Sequence, residues 1–248
     1  MSPVILRPGA APVYRFLTMI ASRLGEGDTL EGKSILECGA GGHVPPLALF
    51  AQHGLEVHGV DIDDEQLARA RRFCRENGIA ASFRKADMRS LPYGDASFDY
   101  VYEHFSICHL DPEDTARALS EMRRVLKPGG LAFFGFLSKD TWPLSSYGDE
   151  RSPNVYCMTT EDGDELCHTM LADPEADGLA KDWEILRKDK IARIDRERAE
   201  EVTRDEWRSL HAEARVPCSE AAWMTQYPER QNRFTDVYAY YCVRKPAE

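Results

Sequence analysis

The chain of 248 residues carries 31 Lys and Arg against 42 Asp and Glu, a formal net charge of −11 at pH 7. Its 43% hydrophobic, 29% charged and 10% aromatic residues are typical of a globular protein and exclude collagen-like, low-complexity and disulfide-scaffold classes. No apolar run reaches the roughly 18 residues of a membrane-spanning helix, and the acidic balance argues against nucleic acid as a partner.

Hydrophobic periodicity predicts alternating strands and helices in the first part of the chain. A helical stripe that contains Tyr14, Phe16 and Ile20 comes first. Helices are predicted to begin near Pro45, Asp63 and Asp111. Strands are predicted at residues 34–37, 56–60, 82–85, 98–102 and 131–136. This alternation indicates a largely parallel sheet with helices on both faces.

The alternation changes after residue 138. Two apolar segments at 155–160 and 165–170 flank the sequence Glu-Asp-Gly-Asp, which predicts a hairpin. A short helix at 174–179, a charged helix at about 194–214 and two further strands at 183–186 and 237–243 complete the predicted elements.

The organisation of the chain indicates one domain over residues 1–248. We expect a core at 33–137 and two insertions, at 139–176 and 192–234, that cap the substrate side. The richest basic stretch, 187–208, interleaves Lys and Arg with Asp and Glu, which predicts a solvated, salt-bridged helix face and not a nucleic-acid patch.

Cysteine usage and the first residues bear on the compartment. The start, MSPVILRPGAAP, lacks the charged and then apolar pattern of a signal peptide, so we expect a cytoplasmic protein. Seven scattered cysteines without a CxxC pair argue against a disulfide framework. Cys167 and His168 are adjacent, but no further ligand stands at a suitable spacing, so no metal site is predicted.

The predicted carboxyl ends of the first four strands carry groups that suit a nucleotide-like ligand. Ligands bind an open parallel sheet at these ends, beside the point where the strand order reverses. Glycines let backbone N–H groups approach a ligand, and a carboxylate about 20 residues later suits two ribose hydroxyls. Each group alone also fits a structural role, so the prediction depends on the whole series. The series is Gly39 and Gly41, then Asp61, then Asp87, then Glu103 and His104.

Five segments form an ordered series of motifs. They are Ile-Leu-Glu-Cys-Gly-Ala-Gly at 35–41, Val-His-Gly-Val-Asp-Ile at 57–62, Lys-Ala-Asp-Met at 85–88, Phe-Asp-Tyr-Val at 98–101 and Arg-Val-Leu-Lys-Pro-Gly-Gly-Leu at 124–131. The series resembles class I S-adenosylmethionine-dependent methyltransferases of the type 11 group. The resemblance implies a Rossmann-like, doubly wound α/β fold with a mostly parallel seven-stranded sheet, an antiparallel last strand and insertions after strands five and six. It also implies methyl transfer from S-adenosylmethionine to a small-molecule acceptor, with S-adenosylhomocysteine as product.

The resemblance implies roles for residues at the methionine end of this cofactor. Glu37 would orient the amino group, while Gly39 and Gly41 would pack against the methionyl moiety. The backbone of Glu103 would contact the same part, and Tyr14 would close over the cofactor from the preceding helix.

At the adenosine end, the resemblance implies that Asp61 holds the ribose hydroxyls and Ile62 lies against the adenine face. Asp87 would accept from the adenine amine, with Met88 beside it. The chain departs from the family pattern at His43, where a third glycine is common. This side chain either points to solvent or intrudes on the amino-acid end of the cofactor.

Histidines near the fourth strand are the predicted catalytic residues. If the acceptor attacks through a hydroxyl, a base is needed, and neutral His suits this role near pH 7. His104 and His109 follow the strand, and His168 on the predicted hairpin is a further candidate. Glu103 is an alternative group that would balance a cationic acceptor. A thiolate or free-amine acceptor needs no base.

Two other functions stay open at this stage. A nicotinamide-dependent oxidoreductase also carries Gly-x-Gly followed by an acid, although Val44 replaces its third glycine and Asp87 then has no role. The second is a protein that binds the cofactor or its product without turnover. Aromatic residues in or beside the insertions either pack them onto the sheet or line an acceptor pocket. These are Trp142, Tyr147, Tyr156, Trp223, Tyr227 and Phe234.

Overall fold

The computed structural model describes residues 11–142, 144–160, 162–195 and 234–247. Within these residues the helices are α1 (Ala11–Ala21), α2 (Leu47–Gln52), α3 (Asp64–Glu76), α4 (Pro112–Val125) and α5 (Asp173–Leu179). The strands are β1 (Ser34–Cys38), β2 (Glu56–Asp61), β3 (Ala81–Lys85), β4 (Phe98–Glu103), β5 (Leu126–Ser138), β6 (Asp149–Ser152), β7 (Val155–Thr159), β8 (Glu165–Leu171), β9 (Glu184–Asp195) and β10 (Phe234–Arg244).

Seven of the strands form the sheet that positions the site, in the order β3-β2-β1-β4-β5-β10-β9. The first five are parallel to their neighbours, and β10 runs antiparallel to both β5 and β9. The predicted doubly wound, mostly parallel sheet with an antiparallel last strand is therefore confirmed. Because β1 is paired with β2 on one side and β4 on the other, the strand order reverses beside the carboxyl end of β1.

Acidic caps start the two long helices next to the site, as predicted. The Asp63 carboxylate accepts hydrogen bonds from the backbone N–H groups of Glu65 and Gln66 at the start of α3. Asp111 accepts from the N–H of Asp114 at 2.8 Å, and Pro112 occupies the first position of α4. Both caps fix where the loop after a strand ends and its helix begins.

The apolar core lies on both faces of the sheet. On β5, Phe133 belongs to the cluster under α1, and its neighbour Phe134 belongs to the cluster on the opposite face. Phe16 of α1 is fully buried and contacts the rings of Tyr102 and Phe133, with centroids 6.0 and 5.7 Å away. The alternation along the strand thus secures helices to both faces.

The segment after β5 forms an antiparallel sheet of β6, β7 and β8, which confirms the predicted hairpin. The end of β8 pairs in parallel with the end of β5 through Met170 and Leu171. Cys157 and Cys167 stand directly opposite each other on β7 and β8, with Cα atoms 4.1 Å apart, and form a disulfide bond. The scattered spacing of the cysteines does not predict this pair, because it is the register of the hairpin that brings the two residues together.

Strand β9 corrects the interpretation of the charged stretch. Residues 187–195 are strand and not helix, and Lys188 and Lys190 point toward the acidic residues of α5. Lys188 contacts Asp177 at 2.8 Å, and Lys190 contacts Asp173 at 2.9 Å. Residues 194 and 195, the first two of the helix predicted at 194–214, belong to this strand, so the prediction is wrong at these two positions.

The rest of the insertion predicted at 192–234, including Trp223 and Tyr227, lies outside the described residues, as does the side chain of Phe234. None of the helices in the described ranges is long and apolar enough to cross a membrane.

Removal of the cap on α4 tests how the loop before this helix is held. We expect Asp111→Ala to lower the free energy of unfolding by about 1 kcal/mol, because the N–H of Asp114 loses its acceptor. Asp111→Ser should keep most of the stability, since a hydroxyl also caps. Urea denaturation of both variants measures the difference, and equal losses in the two would contradict a capping role.

Candidate active site

A cavity of about 230 Å³ lies at the carboxyl ends of β1 to β4. The structure brings into it six residues that the sequence singled out, from segments far apart in the chain. They are Gly39, Asp61, Ile62, Asp87, Met88 and His109. Arg89 and Ser106 also line the cavity, and sequence reasoning missed both.

The turn after β1 has room only for glycine at its two key positions. Gly39 has φ +77°, and a Cβ atom there would lie 1.8 Å from the hydroxyl oxygen of Ser106. A Cβ atom on Gly41 would lie 2.6 Å from Oδ2 of Asp61. The missing side chains therefore allow the turn to pack against the ends of β2 and β4.

Two backbone groups orient the carboxylate of Asp61. Gly41 donates its N–H to Oδ2 at 2.9 Å, and Asp63 donates its N–H to Oδ1 at 3.0 Å. Beside it the apolar side chain of Ile62 is 61% exposed. An oriented carboxylate thus lies next to an uncovered apolar surface in the same cavity.

The Asp87 carboxylate forms an ion pair with the guanidinium group of Arg89. Arg89 donates from Nε and Nη2 to the two Asp87 oxygens, and also pairs with Asp114. The hydrogen bonds from Arg89 hold the pKa of the Asp87 carboxyl below its ordinary value. Each oxygen already accepts two contacts from Arg89, Oδ1 from the backbone N–H and Nε, and Oδ2 from Nε and Nη2. Acceptance from an adenine amine stays a prediction.

Two glutamates at strand ends are buried and bind backbone N–H groups. Glu37 is 2% exposed and accepts from Leu47 at 2.7 Å, which anchors the start of α2. Glu103 is fully buried and accepts from Ser106 at 2.7 Å, Ile107 at 2.8 Å and Gly135 at 3.4 Å. The idea that Glu103 balances a cationic acceptor is therefore wrong, because its side chain is enclosed by the protein.

The exposed side chain of His43 fits the first of its two alternatives, contact with solvent.

Burial raises the pKa of Glu103 to about 7, against the three hydrogen bonds that favour the charged form. The turn that these bonds hold contains Phe105, whose φ of +68° is rare for a bulky side chain. The same turn carries Ser106 and His109 into the cavity.

The three candidate histidines lie in different surroundings. His109 contacts the hairpin, with Nδ1 3.0 Å from the carbonyl oxygen of Cys167. His168 packs beside it, with ring centroids 4.7 Å apart. His104 lies among aromatic rings, at 3.7 Å from Phe105 and 5.8 Å from Tyr240. The structure thus brings His109 and His168 together, which local sequence does not reveal.

Tyr14 is placed elsewhere. It lines a second cavity, of about 670 Å³, together with Leu55 and Ile79 at the amino ends of β2 and β3. These residues lie at the opposite ends of the strands from Asp61, so the structure does not bring Tyr14 to the first cavity.

Comparisons with known proteins agree with this geometry. A family model described as a methyltransferase domain matches residues 36–134. The ubiquinone/menaquinone biosynthesis C-methyltransferase UbiE of Bordetella avium is 30% identical over 180 residues, which cover 69% of this chain and 70% of that protein. Methyltransferase GfsG of Streptomyces halstedii is 34% identical over 130 residues, 52% of this chain and 45% of that protein. A solved SAM-dependent methyltransferase structure from Methanosarcina mazei has a TM-score of 0.62 at 21% identity, covering 93% of this chain and 98% of that one.

The fold and the cavity at the strand ends define a Rossmann-like protein with a nucleotide-type site. The chain belongs to the S-adenosylmethionine-dependent methyltransferases, as its motifs predicted, and the cofactor of this family is S-adenosylmethionine. The chain spans about half the length of the first curated relatives it matches, 42–49% of each.

The raised pKa of Glu103 predicts a pH dependence of stability. The folded chain keeps a proton on this carboxyl up to about pH 7, whereas the unfolded chain releases it near its ordinary value of 4.5. The folded state binds more protons between these values, so the free energy of unfolding falls as pH rises through them, by about 3 kcal/mol for this shift.

Glu103→Gln should abolish this decline, since an amide does not titrate. Urea denaturation at pH 5 and pH 7 measures the effect, with Glu76→Gln, an exposed carboxyl at the end of α3, as the control. Equal pH dependence in the wild type and Glu103→Gln would show that Glu103 has an ordinary pKa.

Proposed function

We propose that this chain is an enzyme that transfers the methyl group of S-adenosylmethionine to a small-molecule acceptor. The observation that carries the proposal is the pairing of Asp61 with Gly41 at the strand-order reversal, beside the exposed Ile62. A fixed carboxylate suits two ribose hydroxyls, and an uncovered apolar side chain suits the face of a purine ring. Both belong to a chain of the methyltransferase family.

The surrounding residues fit the remaining parts of the cofactor. The glycines at 39 and 41 leave backbone without side chains beside Asp61, which suits close approach of the methionyl moiety. We assign Glu37 and the backbone of Glu103 to this same end. Met88 and Asp87 lie in the cavity and are assigned to the adenine end.

Several features favour a small acceptor. The hairpin β7–β8 contacts the cavity wall through His109, whose Nδ1 lies 3.0 Å from the Cys167 carbonyl oxygen, so it lies beside the proposed cofactor site. The net charge of −11 disfavours nucleic acid. One relative, UbiE, is named for the biosynthesis of ubiquinone and menaquinone, which are small molecules.

Methyl transfer to such an acceptor depends mainly on positioning. The bound cofactor supplies a methyl group on a positively charged sulfur. The protein holds the acceptor in line with that methyl group and keeps water away from it. His109 lies on the wall of the cavity, and we assign to it the role of receiving a proton from the acceptor.

Calorimetric titration tests the cofactor assignment. We expect S-adenosylmethionine and S-adenosylhomocysteine to bind with micromolar affinity and NADH not to bind. Asp61→Ala should weaken binding by roughly 10- to 100-fold, because two hydroxyls lose a charged acceptor. Asp64→Ala is the matched control, since Asp64 is an exposed carboxylate three positions away that pairs with Lys85.

The possible outcomes separate the alternative functions. Binding of NADH alone would overturn the proposal in favour of an oxidoreductase. Tight cofactor binding without methyl transfer to any of a panel of hydroxyl, amine, thiol and carbon acceptors would favour a binding protein. An equal loss of affinity in both aspartate variants would mean that net charge, and not Asp61, governs binding.

A further inference from the structure

Arg89 lines the cavity, but the cofactor assignment gives it no role. It lies there beside Asp87, and its side chain is 36% exposed. The guanidinium forms ion pairs with Asp87, in the turn after β3, and with Asp114, in the first turn of α4. These two carboxylates belong to different segments of the chain, so a single cation joins the two segments next to the adenine end of the proposed site.

The Asp87 carboxylate gives its hydrogen-bonding capacity to Arg89. A carboxylate has about four lone-pair positions. Oδ1 accepts from the backbone N–H of Arg89 at 2.9 Å and from Nε at 3.0 Å, while Oδ2 accepts from Nε at 3.0 Å and from Nη2 at 2.6 Å. Three of these four contacts come from the guanidinium. A further donor that binds Asp87 therefore has to displace a guanidinium contact.

Asp114 is a second partner that Arg89 keeps when a contact with Asp87 is lost. Nη1 of Arg89 donates to Oδ2 of Asp114, and Oδ1 of Asp114 accepts from Arg117 at 3.2 Å. Hydrogen bonds to Asp87 and then to Asp114 raise the pKa of the Arg89 guanidinium. Because the guanidinium is always charged, Asp114 lets it turn away from Asp87 without becoming an unpaired cation.

The loop after β3 is held to α4 by contacts that do not involve Arg89. Glu121 accepts from the N–H of Leu91 at 2.7 Å. Arg124 donates to the carbonyl oxygens of Leu91 at 3.1 Å and Tyr93 at 2.8 Å. The ion pairs of Arg89 are partly exposed, and such pairs add little to the free energy of unfolding. A role in ligand selection therefore fits Arg89 better than a role in holding the fold.

We propose that Arg89 sets how strongly the site selects a purine that carries the exocyclic amine of adenine. The proposal rests on the proposed function, in which Asp87 accepts from this amine. Arg89 and the amine compete for the same two oxygens of Asp87, and Asp114 draws the guanidinium away from them. Asp114 thus favours acceptance of the amine, although it is not among the residues that line the cavity.

Two nucleosides measure this selection by competition against S-adenosylhomocysteine in a calorimetric titration. Adenosine carries the amine and purine riboside lacks it, so the ratio of their dissociation constants reports the amine contact. Arg89→Met should raise the preference for adenosine about fivefold, because the Asp87 oxygens lose a competing donor. Asp114→Asn should lower this preference about fivefold, because the guanidinium then has Asp87 as its one charged partner. The double variant should match Arg89→Met, since no guanidinium remains for Asp114 to hold.

Matched variants separate these effects from a change of net charge. Arg75→Met removes an exposed arginine from the last turn of α3. Glu113→Gln neutralises the adjacent carboxylate in the first turn of α4, whose ion pair is with Arg117. Both variants should keep the wild-type preference for adenosine. Asp87→Ala should abolish the preference, and Arg89→Met should then have no further effect on it.

The signs of the two changes decide between competition and support. A weaker preference in both Arg89→Met and Asp114→Asn would mean that Arg89 holds Asp87 in place for the amine, and would overturn the competition. Wild-type preference in both variants would show that Arg89 has no part in selection, and the proposed methyl transfer would stand. If Asp87→Ala keeps the preference, the amine does not bind Asp87 and the inference is wrong. If S-adenosylhomocysteine itself fails to bind the wild type, both proposals fail together.

Discussion

The buried carboxylate of Glu103 fixes the loop on which the site depends. It accepts N–H groups from Ser106 and Ile107 in the turn after β4 and from Gly135 on β5. Enclosing a carboxylate is unfavourable, and these bonds offset the lost hydration only in part, since burial still raises the pKa of Glu103 to about 7. The turn in this position sets Ser106 against Gly39 and sends His109 to the cavity wall. One side chain thus links the glycine turn of β1 to the acceptor side.

The two halves of the site are built by different parts of the chain. Short-range elements at the ends of β1 to β3 form the cofactor half, where Asp61 binds a backbone group only 20 positions away. The side that we propose for the acceptor depends on distant contacts: His109 and Cys167 are 58 positions apart, and Tyr147 and Asp236 are 89 apart. This division suits a family that keeps one cofactor and varies its acceptors, because the hairpin can change without disturbing Asp61.

Local pattern was sufficient for the elements and for the prediction that Gly39, Asp61 and Asp87 come together at one edge of the sheet. Strand alternation, the caps Asp63 and Asp111 and the Gly-Asp turn of the hairpin each depend on a few adjacent residues. Side-chain pairings were not predictable in the same way. Arg89 on Asp87 and the bond between Cys157 and Cys167 require the geometry of a turn and the register of a hairpin.

Strand β9 shows where a signal was present but ambiguous. Its mixed charges predict a helix, yet Lys188 and Lys190 are two positions apart and share one face of a strand. That spacing becomes meaningful only when α5 is known to present Asp173 and Asp177 opposite them. Tyr14 is a similar case, because a helical stripe predicts burial but not which end of the sheet the ring approaches.

The backbone of Phe105 has a consequence for attempts to engineer this protein. A left-handed conformation is relaxed by glycine or asparagine, so replacing Phe105 with either relieves backbone strain and at the same time removes the ring contacts with His104 and Tyr238. Selection for thermal resistance would therefore act on the turn that also carries Ser106 and His109 to the cavity, so stability and the shape of the site cannot be changed independently there.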